Sequence, residues 1–317
     1  MIEVSQLSKT YRTQQKTGDI LRDIFVRTYK DQLAVKDLSF HIEQGSLVGF
    51  IGPNGAGKTT TLKMLSGILF PTTGTIRVAG HNPFNKHHEF LKQIGFIMGQ
   101  KNQLIWELPA VDTFRVNKTI YEVPESEYRE TLEELVKMLE CQEYINQPVR
   151  TLSLGQRMRV EFIAALVHRP RVLFLDEPTI GLDIFAQSTI RTFIKKYQER
   201  YQATIILTSH YMQDVQSLAN RVLLIDQGSI IFDGTFDSLI ETYSHNKTIT
   251  ITLSKEISNV PELLSRFETS YKHPQLSITV PKRELAKTIS ELLQLVDFVD
   301  VSVENEPIEE VIKKASA

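Results

Sequence analysis

Apolar positions along this chain change their period several times, and each change predicts a different element. Residues 47–51, 172–175, 204–208 and 222–226 are short, continuous apolar runs, the pattern of parallel strands buried on both faces. Residues 112–121, 125–139 and 156–167 space their apolar side chains three and four apart, which predicts helices with one buried face. Up to about residue 97 the chain reads as short strands around a glycine-rich turn. Residues 100–167 read as a mostly helical insert, and beyond it strand and helix patterns alternate again. That order implies an α/β domain with a mostly parallel core sheet. Residues 13–33 interrupt the first strands, and 21–26 carry helical spacing.

After residue 243 the texture shifts. Residues 248–253 alternate as a half-buried strand, and 260–267 read as a helix. A strand at 276–280, an amphipathic helix at 282–295 and a strand at 299–303 follow, and a helix at 307–314 closes the chain with Pro307 near its first turn. The predicted organisation is a large domain over 1–243, with a helical subdomain at about 100–167, and a small β/α accessory domain over 244–317. No internal repeat is visible, so one copy of the large domain is expected.

Between the first buried strand and the helix pattern at 60–69 lies Gly52-Pro53-Asn54-Gly55-Ala56-Gly57-Lys58-Thr59, which fits G-x-x-x-x-G-K-[ST]. Glycines let the backbone wrap an anion so that successive N–H groups point at phosphate oxygens, and the following helix adds its positive dipole end. Lys58 is expected at the β- and γ-phosphates and the Thr59 hydroxyl on Mg²⁺, with Thr60 opening the helix. A glycine turn beside a surface lysine would not need strand and helix so placed. The chain is therefore expected to bind a nucleoside triphosphate.

A second acidic feature points from binding to hydrolysis. The apolar run 172–175 ends in Asp176-Glu177, and the carboxyl ends of parallel strands are where open α/β sheets hold their ligands. Asp176 is expected to hold Mg²⁺ opposite Thr59, and Glu177 to orient and polarise the attacking water as general base. Ser153 and Gly155 stand just ahead of the helix pattern from Gln156, where N–H groups and a hydroxyl make a second anion site.

Composition narrows the classes. A chain of 317 residues can bury a large core plus a small one, and a formal net charge of −2 offers no global attraction to nucleic acid. One cysteine, Cys141, excludes an internal disulfide. The N-terminus enters a strand pattern without a basic-then-apolar leader, and no apolar run approaches the ~20 residues of a spanning helix. GTPases read guanine with N-K-x-D, whereas Asn117-Lys118 and Asn246-Lys247 are both followed by Thr-Ile.

Taken in order, these segments resemble the ATP-binding-cassette (ABC) ATPases over about residues 2–243. Thr151-Leu152-Ser153-Leu154-Gly155-Gln156 is similar to the signature sequence, Gly99-Gln100 to the Q-loop, Gly181-Leu182-Asp183 to the D-loop, and Thr208-Ser209-His210 to the switch-histidine segment. Tyr11 falls where the family stacks an aromatic on adenine. The resemblance implies a P-loop NTPase cassette with antiparallel N-terminal strands. It also implies ATP and Mg²⁺ as cofactors, Gln100 sensing Mg²⁺ and water, and His210 donating to the γ-phosphate. Ser153, Gly155, Gln156 and Asp183 then complete the site of an opposite subunit, either a second copy or a homologous cassette.

Within the family, the insertion at 13–33, the segment 100–109 and Leu152-Ser153-Leu154-Gly155-Gln156-Arg157-Met158-Arg159 look most like ABC-2-type exporter cassettes, including those similar to sodium- and drug-extrusion ATPases. The implied partners are integral-membrane ABC-2-type permease subunits on separate chains. The implied location is the cytoplasmic face of the cell membrane, with no nucleic acid expected. A soluble cassette ATPase acting on ribosomes or DNA is the alternative, but such members carry two cassettes or a long coiled-coil insert. In the segment 100–109, Trp106 with Leu104, Ile105, Leu108 and Pro109 is expected either to pack under the helical subdomain or to line a groove for a permease helix.

Overall fold

Buried strands and amphipathic helices fall close to where hydrophobic periodicity puts them, in a structure that is a computed structural model and describes residues 1–15, 28–257, 267–306 and 308–315. Strands β1 (Ile2–Gln15) and β2 (Thr28–Ile42) form a long antiparallel ladder. Strand β3 (Leu47–Ile51), buried at every position, runs into the glycine turn and helix α1 (Lys58–Leu65). Strand β4 (Thr73–Val78) returns to pair with β1. Short helix α2 (His88–Leu91) and strand β5 (Ile94–Met98) precede the helical insert. The insert comprises α3 (Ala110–Ile120), α4 (Glu125–Met138) and α5 (Leu154–Leu166). Strand β6 (Val172–Asp176), helix α6 (Ile184–Tyr201), strand β7 (Thr204–Thr208) and helix α7 (Met212–Leu218) follow. Strands β8 (Arg221–Asp226) and β9 (Ser229–Gly234) close the six-stranded sheet.

That sheet runs β5-β6-β7-β3-β8-β9, parallel except for β9. The fully buried strands β3, β6 and β7 sit at its centre because both of their faces are covered. One face packs with α1 against the antiparallel sheet β2-β1-β4, through Ile2, Leu38, Phe50, Leu62, Phe174 and Ile206. The other face packs against the insert and α6, through Leu173, Leu175, Leu207, Phe162 and Phe193. The carboxyl ends of β3, β5, β6 and β7 therefore meet at one rim. The fold is the expected α/β cassette, with a mostly parallel core and antiparallel N-terminal strands.

One expectation needs revision, and two details sharpen the sequence picture. Residues 13–15 and 28–33 of the 13–33 insertion belong to β1 and β2, with Thr13 opposite Lys30 and Gln15 opposite Thr28. The insertion thus leaves and rejoins the sheet at the tip of an extended hairpin, and the helical spacing at 21–26 lies outside the described residues. The signature helix starts at Leu154, with the Ser153 side chain as its N-cap, just ahead of the expected start near Gln156. The strand Glu268–Lys272 carries its alternation on Thr269 and Tyr271 rather than on aliphatic residues, so the hydrophobic pattern does not announce it.

Two compact units divide the chain, Met1–Phe236 and Asp237–Ala317. In the second, helix α8 (Phe236–Tyr243) leads into β10 (Asn246–Leu253). Strands β11 (Glu268–Lys272) and β12 (Gln275–Pro281), helix α9 (Leu285–Leu295), strand β13 (Phe298–Asn305) and helix α10 (Ile308–Ala315) complete it. Its antiparallel sheet, ordered β11-β12-β10-β13, buries Ile249, Ile251, Leu276, Ile278 and Val280 with Leu292 and Val296. The helix expected over 260–267 lies outside the described residues apart from Phe267.

Candidate active site

The glycine turn after β3 is built to stay open toward an anion. Gly52 has φ +143°, and a Cβ there would lie 1.9 Å from the Ile225 carbonyl oxygen. Gly57 has φ +105°, and its Cβ would meet the Ala34 carbonyl oxygen at 2.5 Å. No other residue fits either position, for both backbone conformation and space. Lys58 folds back over the loop, its Nζ donating to the Gly52 and Pro53 carbonyl oxygens at 2.8 and 2.9 Å. It is buried, and burial lowers its pKa against the opposing pull of the Glu177 and Asp176 carboxylates. A buried ammonium whose hydrogen-bond partners are two carbonyls is matched by a phosphate. A cleft lined by Asn54, Gly55, Lys58, Thr59, Thr60 and Glu177 gives it access. Tyr11 stands beside this cleft, its hydroxyl 3.4 Å from Thr60 Oγ1 and its ring partly exposed.

The carboxyl end of β6 supplies the acids. Asp176 Oδ1 accepts from Thr59 Oγ1 at 3.0 Å and from Thr208 Oγ1, at the end of β7, at 2.7 Å. A hydroxyl and a carboxylate oxygen so close together form the hard-oxygen donor set that suits Mg²⁺. Glu177 follows with φ +55°, a left-handed conformation uncommon outside glycine, and its surroundings must hold it there. They do so here: its N–H donates to both the Thr208 carbonyl oxygen (3.0 Å) and Thr208 Oγ1 (3.1 Å). The turn aims the carboxylate at the rim, where His210 Nε2 lies 2.7 Å from Oε1 and Gln100 Nε2 donates to Oε2 at 3.4 Å. Gln100, Glu177 and His210 thus converge from the ends of three strands. His210 rests on the Glu177 carboxylate at this rim.

The signature and D-loop residues form a separate group. Ser153 Oγ accepts from the Gln156 N–H (3.2 Å) and Gln156 Oε1 accepts from the Ser153 N–H (3.0 Å), a reciprocal cap at the start of α5. Asp183 caps α6 by accepting from the Ala186 N–H at 2.9 Å. A Cβ on Gly155 would lie 3.0 Å from the Ala186 Cβ, so these two helix N-termini pack closely. Among the described residues, no hydrogen bond joins this group to the phosphate loop.

Two functional neighbours escaped sequence reading. Thr208 holds both acids, yet it reads as the last residue of a strand. Asp214 is 1% exposed and accepts from Thr179, Ser209 and Arg191 at 2.5, 2.8 and 2.9 Å. It ties the turn after Glu177 to the one bearing His210. Its signal was an acid next to Val215 on the apolar face of α7. Trp106 was read as a groove residue or as core. Its ring is half exposed, with the Arg157 guanidinium 5.2 Å from its centroid. The larger apolar cleft nearby is lined instead by Ile68, Leu91, Phe96, Ile120 and, from the 100–109 segment, Gln103.

A phosphate loop, a buried lysine over it, and paired acids at the carboxyl end of a central parallel strand define a P-loop nucleoside triphosphatase. Comparison with known proteins narrows the class. The family model described as ABC transporter matches residues 35–180. The chain is 35% identical over 227 residues to the ABC transporter ATP-binding protein NatA of Bacillus subtilis (strain 168), covering 72% of this chain and 92% of that protein. It is 32% identical to the bacitracin transport ATP-binding protein BcrA of Bacillus licheniformis, over 71% of this chain and 70% of that one. The dimeric post-hydrolysis structure of the ATP-binding cassette MJ0796 bound to ADP and Pi superposes with a TM-score of 0.62 at 25% identity, covering 74% of this chain and 98% of that chain. The chain belongs to the ABC transporter ATP-binding proteins, whose activity is ATP hydrolysis.

Proposed function

We propose that this protein is the ATP-hydrolysing subunit of an ABC-2-type exporter, working as a head-to-tail pair on separate integral-membrane permease subunits. The observation that carries the reading is the convergence of Gln100, Glu177 and His210 beside Thr59, Asp176 and Lys58 at one rim of the sheet. Lys58 and the loop N–H groups bind and neutralise the triphosphate. Thr59 and Asp176 would hold Mg²⁺, with Gln100 beside them. When bound, that ion supplies charge neutralisation at the β- and γ-oxygens. Glu177 takes the proton of the attacking water, and its two fixed oxygens keep the carboxylate aimed while Gln100 orients the water. His210, once released from Glu177, donates toward the γ-phosphate. Tyr11 stacks on the base.

The pairing rests on Ser153, Gly155, Gln156 and Asp183, which lie apart from the phosphate loop of their own chain and are suited to close over that of a partner. Beside them Ile184 and Phe185 are 77% and 85% exposed, an apolar pair that a second cassette would cover. Export is supported by the relatives, which include bacitracin transport, linearmycin resistance and daunorubicin resistance ATP-binding proteins. Among the described residues no helix is long and apolar enough to cross a membrane, so attachment at the cytoplasmic face would come through the permease. The apolar cleft at Ile68, Leu91, Phe96 and Ile120, of about 410 Å³, suits a helix from that partner.

The decisive experiment uses Glu177→Gln, which keeps size and hydrogen bonding while removing basicity. Turnover is expected to fall by about 10²–10⁴-fold, the usual contribution of a general base. With MgATP the variant should accumulate as a dimer in analytical ultracentrifugation. Wild-type turnover would remove Glu177 from the mechanism, and a strict monomer at every concentration, with permease present, would defeat the pair.

A further inference from the structure

Helix α5 carries the signature residues at its N-terminus, and one of its faces bears on the segment 100–109. Glu161 on that face is 4% exposed, and its Oε1 accepts from the Gln103 N–H at 2.8 Å and the Leu104 N–H at 3.4 Å. One turn earlier on the same face, Arg157 lies over Trp106. Farther along the segment, Ile105 N–H donates to Thr113 Oγ1, while Trp106 and Leu108 carbonyl oxygens accept from the Arg150 and Val149 N–H groups. The distal part of the segment is therefore strapped to the helical insert.

Its proximal end is held by the catalytic rim. The Gly99 N–H donates to the Asp176 carbonyl oxygen at 2.9 Å, and Gln100 reaches Glu177. Only the exposed Lys101 and Asn102 separate the two anchorages. A link that short has little slack, so a shift of Gln100 of a few ångströms must be carried into whatever holds Gln103.

Capping two N–H groups does not require a charge, since a glutamine or serine acceptor would satisfy them. A buried carboxylate is costly to keep: burial pushes Glu161 up to about 7, with the Gln103 and Leu104 N–H groups and Arg157 opposing. What the carboxylate gains is a stronger, charge-assisted grip on both donors.

We propose that Glu161 is a positioning residue that clamps the Gln100-bearing loop to the signature helix, setting where Gln100 meets Glu177 and passing its displacement to Ser153–Gln156. The inference rests on Gln100 acting at the Glu177 site. Glu161 touches no substrate and acts through the loop alone.

A double-mutant cycle on the full chain tests it, with steady-state ATPase activity measured across ATP concentrations and thermal melting as a control. Glu161→Ala is expected to lower kcat about tenfold with KM for ATP within about twofold, because the phosphate loop is untouched. Glu161→Gln, which keeps an acceptor but loses the charge-assisted part of the grip, should lower kcat by about threefold in the wild-type background and by less than about 1.5-fold with Gln100→Ala, and it carries the cycle if the alanine variant does not fold. In a Gln100→Ala background, Glu161→Ala should change kcat by less than about twofold, since the clamp then has nothing to position. The same fall in both backgrounds would show a merely structural role and overturn the proposal, as would a wild-type kcat for Glu161→Ala. Wild-type kcat for Gln100→Ala alone would instead refute the Gln100 reading.

Discussion

Gly99 offers the most direct test of how tightly the catalytic rim is built. A Cβ placed on it would lie 2.0 Å from the Glu177 carbonyl oxygen and 2.9 Å from Ile180 Cγ2. Restoring ordinary contact at 3.4 Å requires one backbone to retreat by about 1.4 Å. Neither is free to do so. The Gly99 N–H is bonded to the Asp176 carbonyl oxygen, and Glu177 is held in its left-handed conformation by its N–H donating to both Thr208 oxygens. Any retreat therefore swings Gln100 away from Glu177, whose contact at 3.4 Å is already long, or turns the carboxylate out of line.

A misplacement of about 1 Å at a reacting group lowers rate by roughly 10²-fold, which corresponds to about 2.7 kcal/mol of activation free energy. Gly99→Ala is thus expected to reduce kcat about 100-fold while leaving KM for ATP within about threefold, because Gly52–Thr60 is not disturbed. The overpacked backbone should also lower stability by about 1–3 kcal/mol, read as a lower melting temperature. Phosphate release by the folded variant, measured across ATP concentrations, decides the matter. A folded Gly99→Ala protein with kcat within about twofold of wild type would refute the claim that loop and base are sterically locked.

Two further outcomes are expected. His168 is stacked on Tyr121 at 3.7 Å between ring centroids, with Nε2 at 3.0 Å from the Ile94 carbonyl oxygen, and burial pushes its pKa down to about 4. The unfolded chain therefore takes up this proton at a higher pH than the folded one. Its stabilisation is complete above the usual value of 6.5 and drains as pH falls toward about 4. His168→Gln should show a shallower loss of melting temperature over that window, and a wild-type-minus-variant difference independent of pH would sink the assignment. At the apolar cleft, Ile120→Asp should leave the ATPase activity of the isolated protein within about twofold and abolish co-purification with the permease, as a charge in a docking groove does. Retained assembly would place the docking surface elsewhere.

What was legible in the amino-acid sequence shares one property: it is contiguous. Gly52–Thr59, Asp176-Glu177 and Ser153–Gln156 each keep their meaning within a few residues, because a turn, a strand end or a helix cap is specified locally. The central strands were equally readable, since burial on both faces leaves no polar position to confuse the period. The site's working geometry is not local in this way. Thr208 is a polar residue at the end of an apolar strand, and nothing within its own segment distinguishes a clamp from a solvated terminus, while Asp214 offers only an acid beside Val215 on the buried face of α7. The contact of His210 with Glu177 emerges only when β6 and β7 are paired in register. Trp106 illustrates the converse: an aromatic among aliphatics reads as core or as anchor, and the arginine beneath it comes from a helix some fifty residues downstream. Glu161 stands at the far limit of what a sequence can disclose. A lone acid among Val160, Phe162 and Ile163 on a helix pattern violates the apolar face there, and a violation of local pattern in a buried place is the one signal that such a residue answers to something distant.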